Sequence, residues 1–97
     1  MTQMTNSGAF DSKIWKEQRG KNERKNPRIE MVIELGKRHL RKGMTRAEVH
    51  ALLGEPDQKH GTSDVYELGA SPVGVDFEYY ILDYENELLS NFRITRS

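Results

Sequence analysis

The apolar residues of this chain recur at two different spacings, and the change falls at Gly54-Glu55-Pro56. Before this point they recur every three or four residues, which is the period of an amphipathic helix. After it they alternate, which is the period of a β-strand. Pro56 prevents a helix from continuing because it has no N–H group to donate and its ring clashes with the preceding turn. The chain is therefore expected to place its helices first and its strands second.

The first predicted helix covers residues 27–42. Asn26 is a candidate N-cap, and Pro27 suits the first turn because its missing N–H would have no partner there. Gly43 can adopt the left-handed conformation that ends many helices. The apolar stripe expected to pack on the rest of the domain consists of Ile29, Val32, Ile33, Gly36 and Leu40.

The second predicted helix covers residues 45–53 and has the strongest local signal in the chain. The Thr45 hydroxyl can accept from the backbone N–H of Glu48, and the Glu48 carboxylate can accept from the N–H of Thr45, which together form a capping box. Met44, just before the cap, can pack against Val49 as a hydrophobic staple. Gly54 is placed to end this helix.

Three strands are predicted after the helices, at residues 65–68, 76–84 and 88–95. Helices followed by strands, without alternation, are typical of an α+β fold. We therefore predict two N-terminal helices packed on one face of a three-stranded antiparallel meander, in the order ααβββ. Residues 26–97 would form this domain. Residues 1–25 are rich in polar and charged side chains and are predicted to be a flexible tail.

The middle strand presents large side chains to both faces of the predicted sheet. The set that contains Tyr80 and Leu82 is predicted to face the helices, because the neighbouring strands offer matching apolar positions. The other set then lies on the outer face, where a contiguous apolar patch indicates a partner site. The candidate partner-binding residues are Phe77, Tyr79 and Ile81, the acidic residues Glu78 and Asp83 at their rim, and Trp15 of the tail. Coverage of this face by the tail or by a second copy, as a homodimer, stays open.

Charge is distributed unevenly along the chain. Residues 1–50 carry 12 Lys/Arg and 6 Asp/Glu, a net of +6, and residues 51–97 carry 3 and 9, a net of −6. A surface of one sign attracts partners of the other, although the two halves could also neutralise each other in the fold. The acidic half fits an immunity or inhibitor protein that neutralises a toxin or hydrolase. The basic arm around Trp15 fits, as a weaker alternative, a nucleic-acid contact by charge and base stacking.

Several chemical functions are disfavoured by the residue types present. The sequence contains no cysteine, so disulfides and thiolate metal sites are excluded. His39, His50 and His60 lack metal-ligand spacing, and no serine lies in a Gly-x-Ser-x-Gly motif. We therefore predict a non-enzymatic, protein-binding domain that uses no metal or cofactor.

The compartment is predicted from the apolar stretches. No stretch reaches the roughly 18 residues of a membrane span, and the first residues lack the apolar region of a secretory leader. A cytoplasmic protein is therefore expected. A periplasmic protein whose leader had been removed is the alternative.

The segment Leu40–Asp57 resembles the hallmark of the SmpA/OmlA lipoproteins, which are small outer-membrane-assembly subunits. In that family a Gly-Met-Thr cap opens a short helix and Leu-Gly-x-Pro closes it, and this chain has Gly43-Met44-Thr45 and Leu53-Gly54-Glu55-Pro56. The signature is also similar to the helix-helix-sheet unit of the β-lactamase inhibitory proteins. The resemblance implies a protein-binding module without catalytic activity. It does not extend to the lipidated N-terminal cysteine or the leader of that family, neither of which this sequence has.

Overall fold

The computed structural model describes residues 9–21, 26–70 and 76–96. Within them the fold is mixed α+β, but the predicted ααβββ order is wrong because it lacks one helix and one strand. The helices are α1 (Ser12–Glu17), α2 (Arg28–Glu34), extended by a π-helical turn (Leu35–His39), and α3 (Arg46–Leu53). The strands are β1 (Gln58–His60), β2 (Ser63–Ala70), β3 (Phe77–Glu85) and β4 (Leu88–Arg96).

The four strands form one antiparallel sheet in the order β1-β2-β3-β4. The strand missed by the prediction is β1, whose three side chains, Gln58 to His60, are all exposed at the sheet edge. Strand prediction relies on apolar alternation, and this segment has none. Backbone pairing with Ser63–Val65 is what makes it a strand.

The predicted flexible tail does not fit residues 9–21, which belong to the domain. Asp11 caps α1 by accepting a hydrogen bond from the Ile14 N–H at 3.1 Å. Trp15 in this helix is 0% exposed. The buried Trp15 ring anchors this segment despite its polar composition, which is why composition gave a misleading signal. The parts of the predicted tail at residues 1–8 and 22–25 lie outside the described residues.

The helices pack on one face of the sheet. Tyr80, Leu82 and Tyr84 face them and are buried, as the alternation predicts. Gly36 allows α2 to approach the sheet closely, because a Cβ atom there would lie 2.9 Å from the Tyr80 hydroxyl. The helical segment ends at His39, three residues earlier than predicted, and Leu40 is already extended.

The capping box at the start of α3 is confirmed. The Glu48 N–H donates to the Thr45 hydroxyl at 3.0 Å, and the Thr45 N–H donates to the Glu48 carboxylate at 2.9 Å. This end of α3 is also held to the β3–β4 hairpin. The Leu89 N–H donates to the Met44 carbonyl at 2.7 Å, and the Arg46 N–H donates to the Glu87 carbonyl at 2.9 Å.

Candidate functional site

The outer face of the sheet lies opposite the three helices and carries alternate side chains of β3. Phe77 is 37% exposed there, and Tyr79 and Ile81 are half-buried. Val65 of β2 lies opposite Ile81 and is buried on the same face. None of these side chains belongs to the described buried cluster that packs beneath the helices. We call Phe77, Tyr79, Ile81 and Val65 the outer patch.

Asp83 forms the polar border of the outer patch, as the sequence predicts. Its carboxylate accepts from the Ser63 hydroxyl at 2.6 Å and is paired with Arg93. The hydrogen bond from Ser63 is the main cause that lowers the pKa of Asp83, and the contact with Arg93 acts in the same direction. The border therefore carries a fixed carboxylate and a half-exposed guanidinium side by side.

Glu78 does not lie at the rim of the outer patch, so this part of the predicted site is corrected. It alternates with Phe77 and Tyr79 along β3 and is therefore directed to the opposite face. Its side chain is buried and lies 3.2 Å from Nη2 of Arg96. Glu78 and Asp83 are an odd number of residues apart on β3, so their side chains lie on opposite faces of the sheet. Their shared charge gave no information about this.

Trp15 is also excluded from the outer patch, because it lies in the core on the helix side of the sheet. Its ring lies 5.9 Å from the Tyr66 ring and 6.5 Å from the Tyr80 ring. The Arg28 guanidinium lies 4.9 Å from the centre of the Trp15 ring. A ring with no exposed surface cannot stack on a nucleotide base. The nucleic-acid alternative therefore loses the aromatic group on which it depended.

The charge asymmetry along the chain is partly cancelled by ion pairs between the two halves. Arg28 pairs with Asp57, and Arg46 pairs with Asp64 and Glu87. Within the acidic half, Lys59, Arg93 and Arg96 are also paired. At least six of the nine carboxylates of that half are therefore engaged within the fold: Glu55, Asp57, Asp64, Glu78, Asp83 and Glu87.

A buried carboxylate that the sequence analysis did not single out links α3 to β2. Asp64 is fully buried, with Nη2 of Arg46 at 2.7 Å and Nε2 of His50 at 2.6 Å. The hydrogen bond to Asp64 is the main cause that raises the pKa of Arg46. The Arg46 guanidinium also lies 4.8 Å from the centre of the Tyr84 ring. The sequence does contain a signal for the burial of Asp64. It precedes Tyr66 by two residues on the same strand, so both side chains face the helices.

The Asp64 cluster has part of the geometry of a catalytic site. A histidine held by a buried aspartate is the arrangement that prepares a general base. The shallow depression beside it is lined by Arg46, Ala47, His50, Lys59, Gly61 and Glu87. These described lining residues offer no hydroxyl or thiol group. The cluster connects α3 to the sheet through the contacts of Asp64 with Arg46 and His50.

Two further features, metal binding and membrane insertion, concern the described part of the chain. No group of three or more His, Cys, Asp or Glu side chains there is arranged to hold a metal ion. None of the helices in these residues is long and apolar enough to cross a membrane.

No protein-family model matches this chain, and no curated protein is significantly similar to it. The outer patch is the only predicted site feature in which several of the predicted residues lie together on one face of the described structure. These residues are Phe77, Tyr79, Ile81 and Asp83.

Proposed function

We propose that this protein is a non-catalytic protein-binding module that docks a folded protein partner on the outer patch. The observation that carries the proposal is the position of Phe77, Tyr79 and Ile81 on the sheet face opposite all three helices. Apolar and aromatic side chains at the centre of a polar rim are the usual arrangement of an interface. The resemblance of Leu40–Asp57 to the SmpA/OmlA family supports the same class of function.

The rim of the outer patch favours a partner that offers both hydrogen-bond donors and hydrogen-bond acceptors. Tyr79 lies between Glu67 on β2 and Thr95 on β4, and Ile81 lies beside Arg93. Tyr79 combines a large apolar ring with a hydroxyl group, which is the combination enriched at binding hot spots. We therefore expect Tyr79 to contribute more binding free energy than any other residue of the patch.

Photocrosslinking tests the proposal directly. A benzophenone side chain replaces Tyr79 in one variant and Leu88, an exposed residue at the start of β4, in the control. In the native host, position 79 should yield a discrete adduct with another protein, and position 88 should not. Adducts of the chain with itself, or equal adducts at both positions, would refute a heterologous partner on this face.

Tyr79→Ala then tests the energetic contribution of the ring with the crosslinked partner. The variant should retain the native circular dichroism spectrum, because Tyr79 lies outside the described core. Its affinity for the partner should fall by at least about tenfold, as expected for loss of a hot-spot residue. Loss of folding would show that Tyr79 is part of the core.

An inhibitor of a toxin or hydrolase is a special case of this proposal. It requires that binding depend strongly on salt, because charge complementarity would drive association. The internal pairing of most acidic side chains leaves fewer of them for such a partner. A complex that is insensitive to salt would therefore fit the general module and contradict the inhibitor.

A further inference from the structure

Three carboxylates of the acidic half take no part in the ion pairs between described residues: Glu67, Asp76 and Glu85. Glu67 lies opposite Tyr79 in the register of β2 with β3, so its side chain lies on the outer face beside that ring. Asp76 is exposed and immediately precedes Phe77. Glu85 is exposed at the other end of β3. Two of the three carboxylates are therefore at the aromatic end of the outer patch.

The cations of the sheet do not balance this negative charge. Every Lys and Arg of the four strands already has a carboxylate partner: Lys59 pairs with Glu55, Arg93 with Asp83 and Arg96 with Glu78. Only the pair of Arg93 and Asp83 lies on the outer face, where its two charges offset each other. The outer face therefore has surplus negative charge beside Tyr79.

Elsewhere in the fold, an aromatic ring and a carboxylate are used twice to hold a guanidinium group. Arg28 lies 4.9 Å from the centre of the Trp15 ring and pairs with Asp57. Arg46 lies 4.8 Å from the centre of a ring, that of Tyr84, and also pairs with a carboxylate. The negative face of the ring attracts the cation, and the carboxylate accepts its hydrogen bonds.

Tyr79 and Glu67 have the same two components on the outer face. The Tyr79 ring is half-buried, and Glu67 is its direct cross-strand neighbour. No cation of the described residues lies over the Tyr79 ring. The ring and the carboxylate are therefore both available to a cation that another molecule supplies.

We propose that an Arg or Lys side chain of the protein partner lies on the Tyr79 ring and pairs with Glu67. Asp76 adds to the negative charge at this end of the outer patch. Arginine suits the position best, because its planar group can stack on a ring and donate two hydrogen bonds to one carboxylate. This inference rests on the proposed function and names the chemistry of the partner, which is a basic docking surface.

A second copy of the chain fits this surface less well. A symmetric contact uses the same surface on both copies, so it would bring the carboxylates at positions 67 and 76 close to their own counterparts. The exposed cations of residues 37–42 are not on the sheet. Their contact with the outer face of another copy would be head-to-tail and could continue into open assemblies. A different, basic protein is therefore the occupant that the charges favour.

A selection from a random peptide library on the immobilised full-length protein tests this inference. The enriched peptides should contain Arg or Lys next to an apolar or aromatic residue. A fluorescent copy of the best peptide then gives dissociation constants by anisotropy. Replacing its arginine by citrulline, or its lysine by acetyl-lysine, removes the charge and should weaken binding by about tenfold.

Two pairs of variants locate the contact. Glu67→Gln should weaken the peptide by about fivefold or more, whereas Glu30→Gln, which removes one charge from an exposed position of α2, should stay within about twofold. Tyr79→Leu removes the ring and should weaken the peptide by about tenfold, whereas Tyr79→Phe keeps the ring and should stay within about threefold. Circular dichroism confirms that each variant is folded.

The outcomes separate this inference from the proposed function. Weakening by Tyr79→Leu, without weakening by Glu67→Gln or by citrulline, would retain the outer patch as a docking site and overturn the basic partner. Binding that survives both Tyr79→Leu and Glu67→Gln would place the peptide elsewhere and overturn the inference, as would the enrichment of acidic peptides or of none. A dimer in sedimentation experiments that Tyr79→Leu dissociates would assign the face to a second copy and overturn both.

Discussion

Nη1 of Arg28 lies 2.8 Å from Oδ2 of Asp57, and both side chains are almost completely shielded from solvent. Arg28 also donates through Nε to the Trp15 carbonyl at 2.9 Å. Oδ2 of Asp57 accepts from the Glu67 N–H at 2.9 Å, and Oδ1 accepts from the Gly20 N–H at 2.8 Å. This one ion pair therefore joins the segment around α1, the start of α2, the turn after α3 and β2.

Asp57→Ala should destabilise the protein by about 3–5 kcal/mol, because it leaves the Arg28 guanidinium buried without its counter-charge. Burial already lowers the pKa of Arg28, and the hydrogen bond to Asp57 opposes this shift. Urea denaturation measures the change in the free energy of unfolding. The control is Glu34→Ala, which breaks an exposed pair with Arg38 and should cost about 0–1 kcal/mol. Equal losses in the free energy of unfolding would show that the buried Arg28–Asp57 pair contributes no more than the exposed pair.

Trp15→Ala should destabilise the protein by about 3–5 kcal/mol, the usual cost of removing a fully buried aromatic side chain. Trp15 is the only tryptophan in the chain, so the intrinsic fluorescence reports on this site alone. Its emission should lie at short wavelength in the folded protein and shift to longer wavelength on unfolding. The neighbouring Ile14→Ala, at an exposed position of the same helix, should have a small effect. A native emission typical of a solvated indole would contradict the core position of α1.

Glu87→Gly should stabilise the β3–β4 hairpin. Asn86 and Glu87 have φ values of 53° and 64°, so both central residues of this two-residue turn are left-handed. Asparagine tolerates this conformation well, whereas glutamate is strained in it. The expected gain is about 0.5–1 kcal/mol, after allowance for the weak contact of Glu87 with Arg46 at 3.5 Å.

The matched control for this hairpin is Glu85→Gly, at the last residue of β3. Glu85 is a strand residue outside the left-handed pair, so glycine there should lower stability by about 0.5–1 kcal/mol. Thermal unfolding measures both variants. A loss of stability in Glu87→Gly would show that the contact with Arg46 outweighs the backbone strain.

Asp83 should make the stability of the protein dependent on pH under acidic conditions. Its pKa in the folded state is lowered, chiefly by the hydrogen bond from Ser63, relative to the value of about 3.9 in an unfolded chain. The stabilisation is therefore present above the unfolded pKa and is lost as the pH falls through the folded pKa. The wild type should be more stable than Asp83→Asn near neutral pH, and this difference should shrink as the solution is acidified. A difference that stays constant with pH would contradict the shift.

Parts of the fold that depend on contacts between near neighbours could be predicted from the sequence. Thr45 and Glu48 are three residues apart, so their capping box is specified within one helical turn. The assignment of Tyr80 to the core and Tyr79 to the outer face follows from alternation along one strand. The same alternation places the charged residues Glu78 and Asp64 on the helix side.

The sequence alone determined the change from helix to strand at Gly54–Pro56, the ends of α3 and the two-faced pattern of β3, because each depends on backbone chemistry within a few residues. Only the tertiary structure decided that Trp15 is a core residue, that Gln58–His60 is a strand and that Arg28 meets Asp57. These features join positions far apart in the chain. Their free energy comes from burial and pairing, which exist only after the chain has brought the partners together.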